Sequence, residues 1–460
     1  MRKLLLSTAA AMGATVGLAG GAYAQTAAAP PAPPVNTSYT GIGGMGAPPS
    51  TATSTVASGL AAPNSFVVHL NARLNWYAGM EGDSSNGRSG YKNDPYQFQG
   101  YIRVYPGFDA VAANGLQYGV AAEIRMPGST HTGAGNSPGS TSSSETLYWR
   151  RAYGYIGTAQ LGTLRFGMGD GTMDIFQTGT FEGFNDGAWN GDVPGFVASS
   201  TEPVYPFSDV GAYYTADRVV YLSPSFAGFQ FGLDFTPNTN NLWNANCSGS
   251  PSTDSECNSL SASPLTSNNA RWRNAIGAGG SYTGTFGPVG VALGGGYIAS
   301  DTVNYDGGPA PVGTTYNGYS FGQFGGTFSF AGFSVGGNIG YGRMGGDYAL
   351  QPKGGQDELA FMLGSQYTTG PIVVGGSYFK TKYAGGWTEA TAADGVARTE
   401  TDQGIAAGAT YSVAPGLALY LSYLYGLRHQ IGYDFYTSSP GTAGNNTTAQ
   451  VFSLGTVMKW

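Results

Sequence analysis

Residues 66–79 read FVVHLNARLNWYAG. Phe66, Val68, Leu70, Ala72, Leu74 and Trp76 share one face of this stretch, and Val67, His69, Asn71, Arg73, Asn75 and Tyr77 share the other. A side-chain period of two belongs to a β-strand with one apolar and one polar face. FQGYIRVYPG (98–107) turns Phe98, Ile102 and Val104 to the apolar side, and YGVAAEIRMPG (118–128) does the same with Tyr118, Val120, Ala122, Ile124 and Met126. FQFGLDF (229–235), VGVALGGGYIAS (289–300), ELAFMLGSQY (358–367), GIAAGATYSV (404–413), LALYLSYLYGLRH (417–429) and VFSLGTVMKW (451–460) alternate similarly.

Connections between these runs are short and long by turns. Tight turns are expected at 157–162, 226–229, 285–290, 330–333, 368–372 and 413–417, and longer polar loops at 128–145, 170–216, 237–270, 301–317, 384–400 and 432–448. That is the rhythm of an up-and-down sheet of hairpins. Counting runs gives sixteen strands, with fourteen and eighteen left open because 217–224 and 371–383 alternate poorly. Charged residues are only 10% of the 460, against about 25% in ordinary soluble domains. Glycine, at 76 residues, is more than double its usual share of about 7%. An aromatic content of 13% argues against disorder.

A soluble sandwich would carry charge on its exposed faces. Here those faces are Leu, Val, Phe, Ala and Gly, with Tyr and Trp toward the strand ends, as lipid contact requires. A sheet in hydrocarbon must close, because an open edge would leave backbone groups unpaired. The chain also ends inside a strand, with Phe452, Leu454, Thr456, Met458 and Trp460 on one face. The fold expected is therefore all-β, a transmembrane antiparallel up-and-down β-barrel of sixteen strands over 65–460.

The start of the chain, MRKLLLSTAAAMGATVGLAGGAYAQ, has a basic beginning, an apolar stretch and an Ala-Tyr-Ala before Gln25. It reads as a secretory signal peptide over 1–24. Without Arg2 and Lys3 the chain carries 18 basic and 27 acidic residues, a net of −9, which speaks against nucleic acid as a partner. No later stretch approaches the 18 or so apolar residues of a membrane-spanning helix. Residues 25–64 are rich in Ala, Pro, Thr and Gly and read as a flexible N-terminal segment. Cys247 and Cys257 lie in a Ser/Asn/Pro-rich stretch of an exported chain and are expected to form a loop-stiffening disulfide.

Strand alternation places Arg73, Arg103, Arg125, Arg150 and Arg165 opposite the apolar face, inside the barrel, with Arg271 and Arg273 following on a later strand. Lipid rejection explains their direction, but not why five gather in the first quarter of the barrel. Nothing basic occurs between Arg165 and Arg218, and the loop there carries Asp170, Asp174, Glu182, Asp186 and Asp192, with Glu202 and Asp209 further on. A connection of about 45 residues far exceeds an ordinary loop. This third outer loop is expected to fold into the lumen and set its acids against the arginine wall, making a pore constriction with a transverse field for small polar solutes and ions.

Its aromatics, Phe176, Phe181, Phe184, Trp189 and Phe196, either anchor the loop to the wall or, at Phe181, Phe184 and Trp189, stack on a sugar in a sugar-selective channel. An outer-membrane enzyme would need a catalytic constellation. Only His69, His131 and His429 are available, and none has an evident Ser or Asp partner. GMGDG (167–171) lacks the strand–helix context of a phosphate loop, and a flexible loop does not hold two carboxylates at the fixed separation a glycosidase needs. No catalytic, metal-binding or cofactor-binding residue is assigned, and no cofactor is called for. A purely structural or adhesive barrel is the remaining rival.

RRAYGYIGTAQLGTLRFGMGDG (150–171), DRVVYLSPSFAGFQFGLDF (217–235) and the terminal Trp460 resemble the general-diffusion porins of Gram-negative outer membranes, alphaproteobacterial type, over 65–460. The resemblance implies an integral outer-membrane homotrimer, in contact with lipid and lipopolysaccharide, whose third loop narrows a passive-diffusion pore. It implies recognition of the C-terminal strand by the barrel-assembly machinery through Trp460. Arg150 matches the family's inward arginine before Ala152-Tyr153, and Arg218 the arginine entering the sixth strand. Trp460 replaces the usual Phe, and the Pro/Ala segment is longer than most porins carry.

Overall fold

The structure is a computed structural model and describes residues 64–88, 92–125, 147–207, 216–239, 261–262, 271–305, 315–387 and 397–460. The expected signal peptide, nearly all of the 25–64 segment, His131, Asp209 and the Cys247–Cys257 pair lie outside the described residues. Sixteen antiparallel strands form one closed barrel. They are β1 Ser65–Asp83, β2 Tyr96–Val111, β3 Gln117–Arg125, β4 Tyr148–Thr158, β5 Gly162–Met168, β6 Asp217–Leu222, β7 Phe229–Thr236 and β8 Trp272–Phe286. The second half comprises β9 Val289–Thr302, β10 Ser320–Phe330, β11 Phe333–Arg343, β12 Glu358–Thr369, β13 Ile372–Trp387, β14 Ala397–Ala414, β15 Leu417–Gln430 and β16 Asn446–Lys459. Both poorly alternating stretches are strands, β6 and β13.

Each strand pairs with its sequence neighbours, and β16 closes the sheet on β1 from Arg73↔Lys459 to Asp83↔Ala449. The last residue completes that seam: Trp460 N–H donates to the Ala72 carbonyl at 3.1 Å, and the Trp460 carbonyl accepts from the Ala72 N–H at 2.9 Å. Short turns close one end of the barrel. The two FAGF turns have both central residues left-handed, Ala227 at φ 49° before Gly228 at 85°, and Ala331 at 48° before Gly332 at 86°. Two positive φ values in a two-residue hairpin define the turn that matches strand twist.

Alternation sorts the side chains as expected. Phe66, Val68, Leu70, Leu74, Trp76, Phe98, Val120, Leu233, Ile339, Leu363 and Leu421 are exposed on the outer wall, while Arg73, Asn75, Tyr77, Gln323, Asn338 and Ser422 are buried inside. The third outer loop, L3 (169–216), does not stand up from the rim. Its described part runs along the inner wall, with a short helix, α1 (Thr172–Ile175), near β8 and β9 and two 3-10 turns, Ala188–Asn190 and Val193–Phe196, near β14 and β1.

An outer wall that faces hydrocarbon makes a specific prediction. Leu421→Arg, at mid-strand on β15, should destabilise the barrel by about 2–4 kcal/mol. Urea unfolding in lipid vesicles, followed by tryptophan fluorescence, measures it.

Candidate functional site

The inner wall has two kinds of surface. Along β1 to β6 it is lined by guanidiniums. Arg73, Arg103 and Arg125 sit directly opposite one another in the register of three adjacent strands. Like charges facing each other across a sheet are destabilising, and two carboxylates relieve this row. Asp192 of L3 accepts from Arg103 through both oxygens, at 3.0 and 2.9 Å, and lies 3.9 Å from Arg73. Glu123 of β3 accepts from Arg125 Nε at 2.5 Å, lies 3.7 Å from Arg150 and bonds Arg151. Tyr101 lies between two of the cations, its ring centre 5.2 Å from the Arg73 guanidinium and 4.4 Å from that of Arg103.

Arg150 and Arg151 are consecutive, yet both are buried inside. A register shift between Glu123 and Ile124 explains this: Glu123 pairs with Arg151 and Ile124 with Trp149, leaving Arg150 as the extra residue of a β-bulge. Arg151 holds Asp170, at the root of L3, through two bonds of 2.7 Å. Arg165 stacks on Tyr153 at 5.3 Å, and Arg218 lies 3.9 Å from Asp234 of β7. Arg271 is buried just ahead of β8 and Arg273 is partly buried, next to left-handed Asn274.

The rest of the inner wall is cut back to glycine where L3 lies on it. A Cβ at Gly325 (β10) would stand 1.9 Å from the Thr178 carbonyl oxygen, one at Gly294 (β9) 2.3 Å from that of Phe176, and one at Gly296 2.8 Å from Met173 Cα. Gly232 (β7) and Gly279 (β8) make room for the Phe176 ring, Gly364 (β12) for Phe181, Gly375 (β13) for Phe184 and Gly404 (β14) for Trp189. Gly408 lies under Asn185, Gly426 (β15) under Pro203 and Trp189, and Gly79 (β1) under Phe196. These eleven positions, on nine strands, form a groove that L3 occupies.

Inward polar side chains fasten the loop along this groove. Asp234 accepts from the Thr172 N–H at 2.7 Å and its hydroxyl at 2.6 Å. Gln323 donates to Met173 O at 2.9 Å, Asn338 to Thr178 O at 2.8 Å and Gln99 to Asp192 O at 3.0 Å. On the returning limb, Arg428 donates to Ser199 O at 3.1 Å and to Glu400 at 2.7 Å, while Asp402 accepts from the Val204 N–H at 2.8 Å.

The acids of L3 therefore have different surroundings. Asp170 and Asp192 meet guanidiniums. Asp186 is held instead by Asn75 at 2.8 Å, by the Tyr77 hydroxyl and by Tyr101 at 3.5 Å. Asp174 accepts from Tyr348 at 2.7 Å and Glu182 from Tyr205 at 3.1 Å. Phe181, Phe184 and Trp189 are 4%, 0% and 4% exposed, and the Trp189 indole donates to Ile405 O at 3.1 Å. Sequence reasoning missed Glu123, which shares a face with Arg125 two residues on and was within reach of the same alternation. It also missed Arg151, which the bulge conceals.

The chain matches the Gram-negative porin family over residues 7–428 and belongs to it. Porins are channels for passive diffusion across the outer membrane, not enzymes, and this chain is one of them. No curated protein sequence matches it. Among solved structures it is similar to an anion-selective porin from Comamonas acidovorans, with 14% identity over 86% of this chain and 100% of that one and a TM-score of 0.50. It is also similar to a loop-deletion mutant of OmpT from Vibrio cholerae (14% identity, 86% and 99% covered, TM-score 0.48) and to a mutant of Rh. blastica porin (13%, 86% and 100%, 0.46). At 14% identity the likeness to the Comamonas porin speaks to the fold alone.

The glycine groove gives a direct test. Gly325→Ala should push Thr178 off the wall and lower single-channel conductance to about half, since bore governs passage. Gly376→Ala, on the outer face of β13, should leave conductance unchanged.

Proposed function

We propose that this porin is a general-diffusion channel for small hydrophilic solutes and ions, its water-filled pore narrowed by L3 and bounded opposite by the arginine arc. The observation that carries the reading is the division of the inner wall: glycine where the loop lies, guanidinium on the adjoining arc. L3 pressed into its groove leaves the arginine side as the path, with Arg73, Arg103, Arg125, Arg150 and Arg165 on one bank and Asp170, Asp186 and Asp192 on the other. Water ordered in that transverse field disfavours apolar solutes, and charge at the narrowest point sets ion preference. Asp174 and Glu182 hold the loop in this reading.

A sugar-selective channel would need Phe181, Phe184 or Trp189 free to stack on a solute. Their burial against wall glycines favours the anchoring role. The same proposal includes cleavage after Ala24, affinity with the alphaproteobacterial type through the 150–171 and 217–235 motifs, and assembly as a homotrimer. The trimer should appear as an SDS-resistant band that dissociates on heating; a monomer in mild detergent overturns that part.

Reversal potentials across a KCl gradient test the constriction. Arg103→Ala should move selectivity toward cations, and Asp186→Ala or Asp192→Asn toward anions. If none of the three shifts selectivity or conductance, the constriction is not where we place it.

Selectivity should also depend on pH. Burial pushes the Glu202 carboxyl, in the returning limb of L3, up to about 7, with Asp347 adding to the rise and Arg428 opposing it. The carboxylate is charged above that value and neutral below it, so cation preference should fall between pH 8 and pH 6. Glu202→Gln should flatten this step.

A further inference from the structure

We propose that the sixth outer loop is a second determinant of the pore: its turn Gly346–Tyr348 reaches inside the barrel and latches both limbs of L3, with Tyr348 as the positioning residue. The inference rests on the reading of L3 as the boundary of the pore. L6 (344–357) joins β11 to β12. Its base is fastened to the end of the preceding outer loop, where Tyr316 pairs with Pro352 and Asn317 with Gln351. The Asn317 side chain donates to that of Gln351 at 2.7 Å, and Gln351 donates to Asp357 at 2.8 Å. From this base the chain turns inward. Met344, Tyr348 and Leu350 are buried in one apolar cluster with Met173 of L3, Trp272 and Tyr319.

Two consecutive residues of the turn, Asp347 at φ 57° and Tyr348 at φ 56°, are left-handed. That region is unfavourable for a residue with a Cβ, and it persists where surrounding contacts over-determine the backbone. Those contacts reach L3 on both limbs. Asp347 and Ala349 stay exposed, and Tyr348 between them is buried. The Tyr348 hydroxyl donates to Asp174 of α1 at 2.7 Å, and the Tyr348 carbonyl accepts from the Tyr319 hydroxyl. The other limb is reached through one wall residue. A Cβ at Gly346 would stand 2.6 Å from the Tyr383 ring, so the turn seats directly on that tyrosine. Tyr383 donates to Asp402 Oδ2 at 3.0 Å, the same oxygen that accepts from the Val204 N–H of the returning limb at 2.8 Å. One short turn thus bears on L3 at Asp174 and, through Tyr383 and Asp402, at Val204. The hold on Asp174 comes from a loop and not from the wall, so the bore depends on a second irregular segment as well as on the glycine groove.

The test is hydrogen exchange of the full-length protein in detergent, read by mass spectrometry on peptides covering 172–178, beside single-channel recording in planar bilayers. Tyr348→Phe keeps the ring and removes only the hydroxyl. It should speed exchange of these amides about tenfold, the scale set by loss of one hydrogen bond to a carboxylate. The current should also flicker to lower levels as α1 leaves the wall. Asp174→Ala cuts the same bond from its other end and should do likewise, so a failure of one variant to fold leaves the other to decide. The double variant should exchange no faster than the faster single one; a further multiplied increase would show two independent effects and overturn the latch. Exchange at the wild-type rate in the single variants also overturns it. Faster exchange with a steady, wild-type current upholds the latch and overturns instead the reading of L3 as the pore boundary. Lys353→Ala, at an exposed position of the same loop, should change neither readout.

Discussion

In hydrocarbon no water relieves an unpaired backbone N–H or carbonyl, so a sheet that crosses a membrane must close. Here the closing seam is the pairing of β16 with β1, finished by the reciprocal bonds between Trp460 and Ala72. Closure fixes the alternation of all sixteen strands at once, since a shift of one residue would turn every apolar side chain inward. Low charge, abundant aromatics and short turns follow from that requirement. What alternation does not fix is the content of the inside, and there the chain meets a second difficulty.

Three arginines in one cross-strand row repel one another. At a spacing of about 5 Å and an effective dielectric near 20, each adjacent pair costs roughly 3 kcal/mol before counter-charges are counted. Glu123 supplies one counter-charge from within the sheet. Asp192 supplies another from L3, and it does so only while the loop stays against the wall. A wall bearing ordinary side chains would push the loop away, since a Cβ at Gly325 would stand 1.9 Å from the Thr178 carbonyl oxygen and one at Gly364 2.7 Å from the Phe181 side chain. The glycine groove and the arginine row are thus parts of one arrangement, in which space removed from most of the wall lets a carboxylate reach the remainder.

The barrel was legible in the sequence because its signal is periodic and repeated, and the inward direction of Arg73, Arg103, Arg125, Arg150 and Arg165 came with it. Local breaks in periodicity were not legible. The bulge at Arg150 turns Arg151 inward, a single-residue event that leaves no mark on an alternating pattern. The glycines were visible as composition and not as a surface, because their common role appears only when nine strands are set side by side under one loop. The acids of L3 were visible as a group, but the group is divided by contacts that an irregular segment's sequence does not encode.

That division bears on how the lumen generates a field. A carboxylate in direct contact with a guanidinium forms a pair whose influence falls off quickly with distance, as Asp170 does with Arg151. Among the described residues, Asp186 touches no guanidinium. Arg73 donates to the Tyr101 hydroxyl, and that hydroxyl in turn lies 3.5 Å from Asp186, so a phenol separates the cation on the wall from the anion on the loop. A longer separation makes a larger dipole, and this one runs from barrel to loop, across the direction of flow. Neutralisation by Asp170, Asp192 and Glu123 keeps the arginine arc compatible with folding, while the hydroxyl-bridged pair keeps its two charges apart.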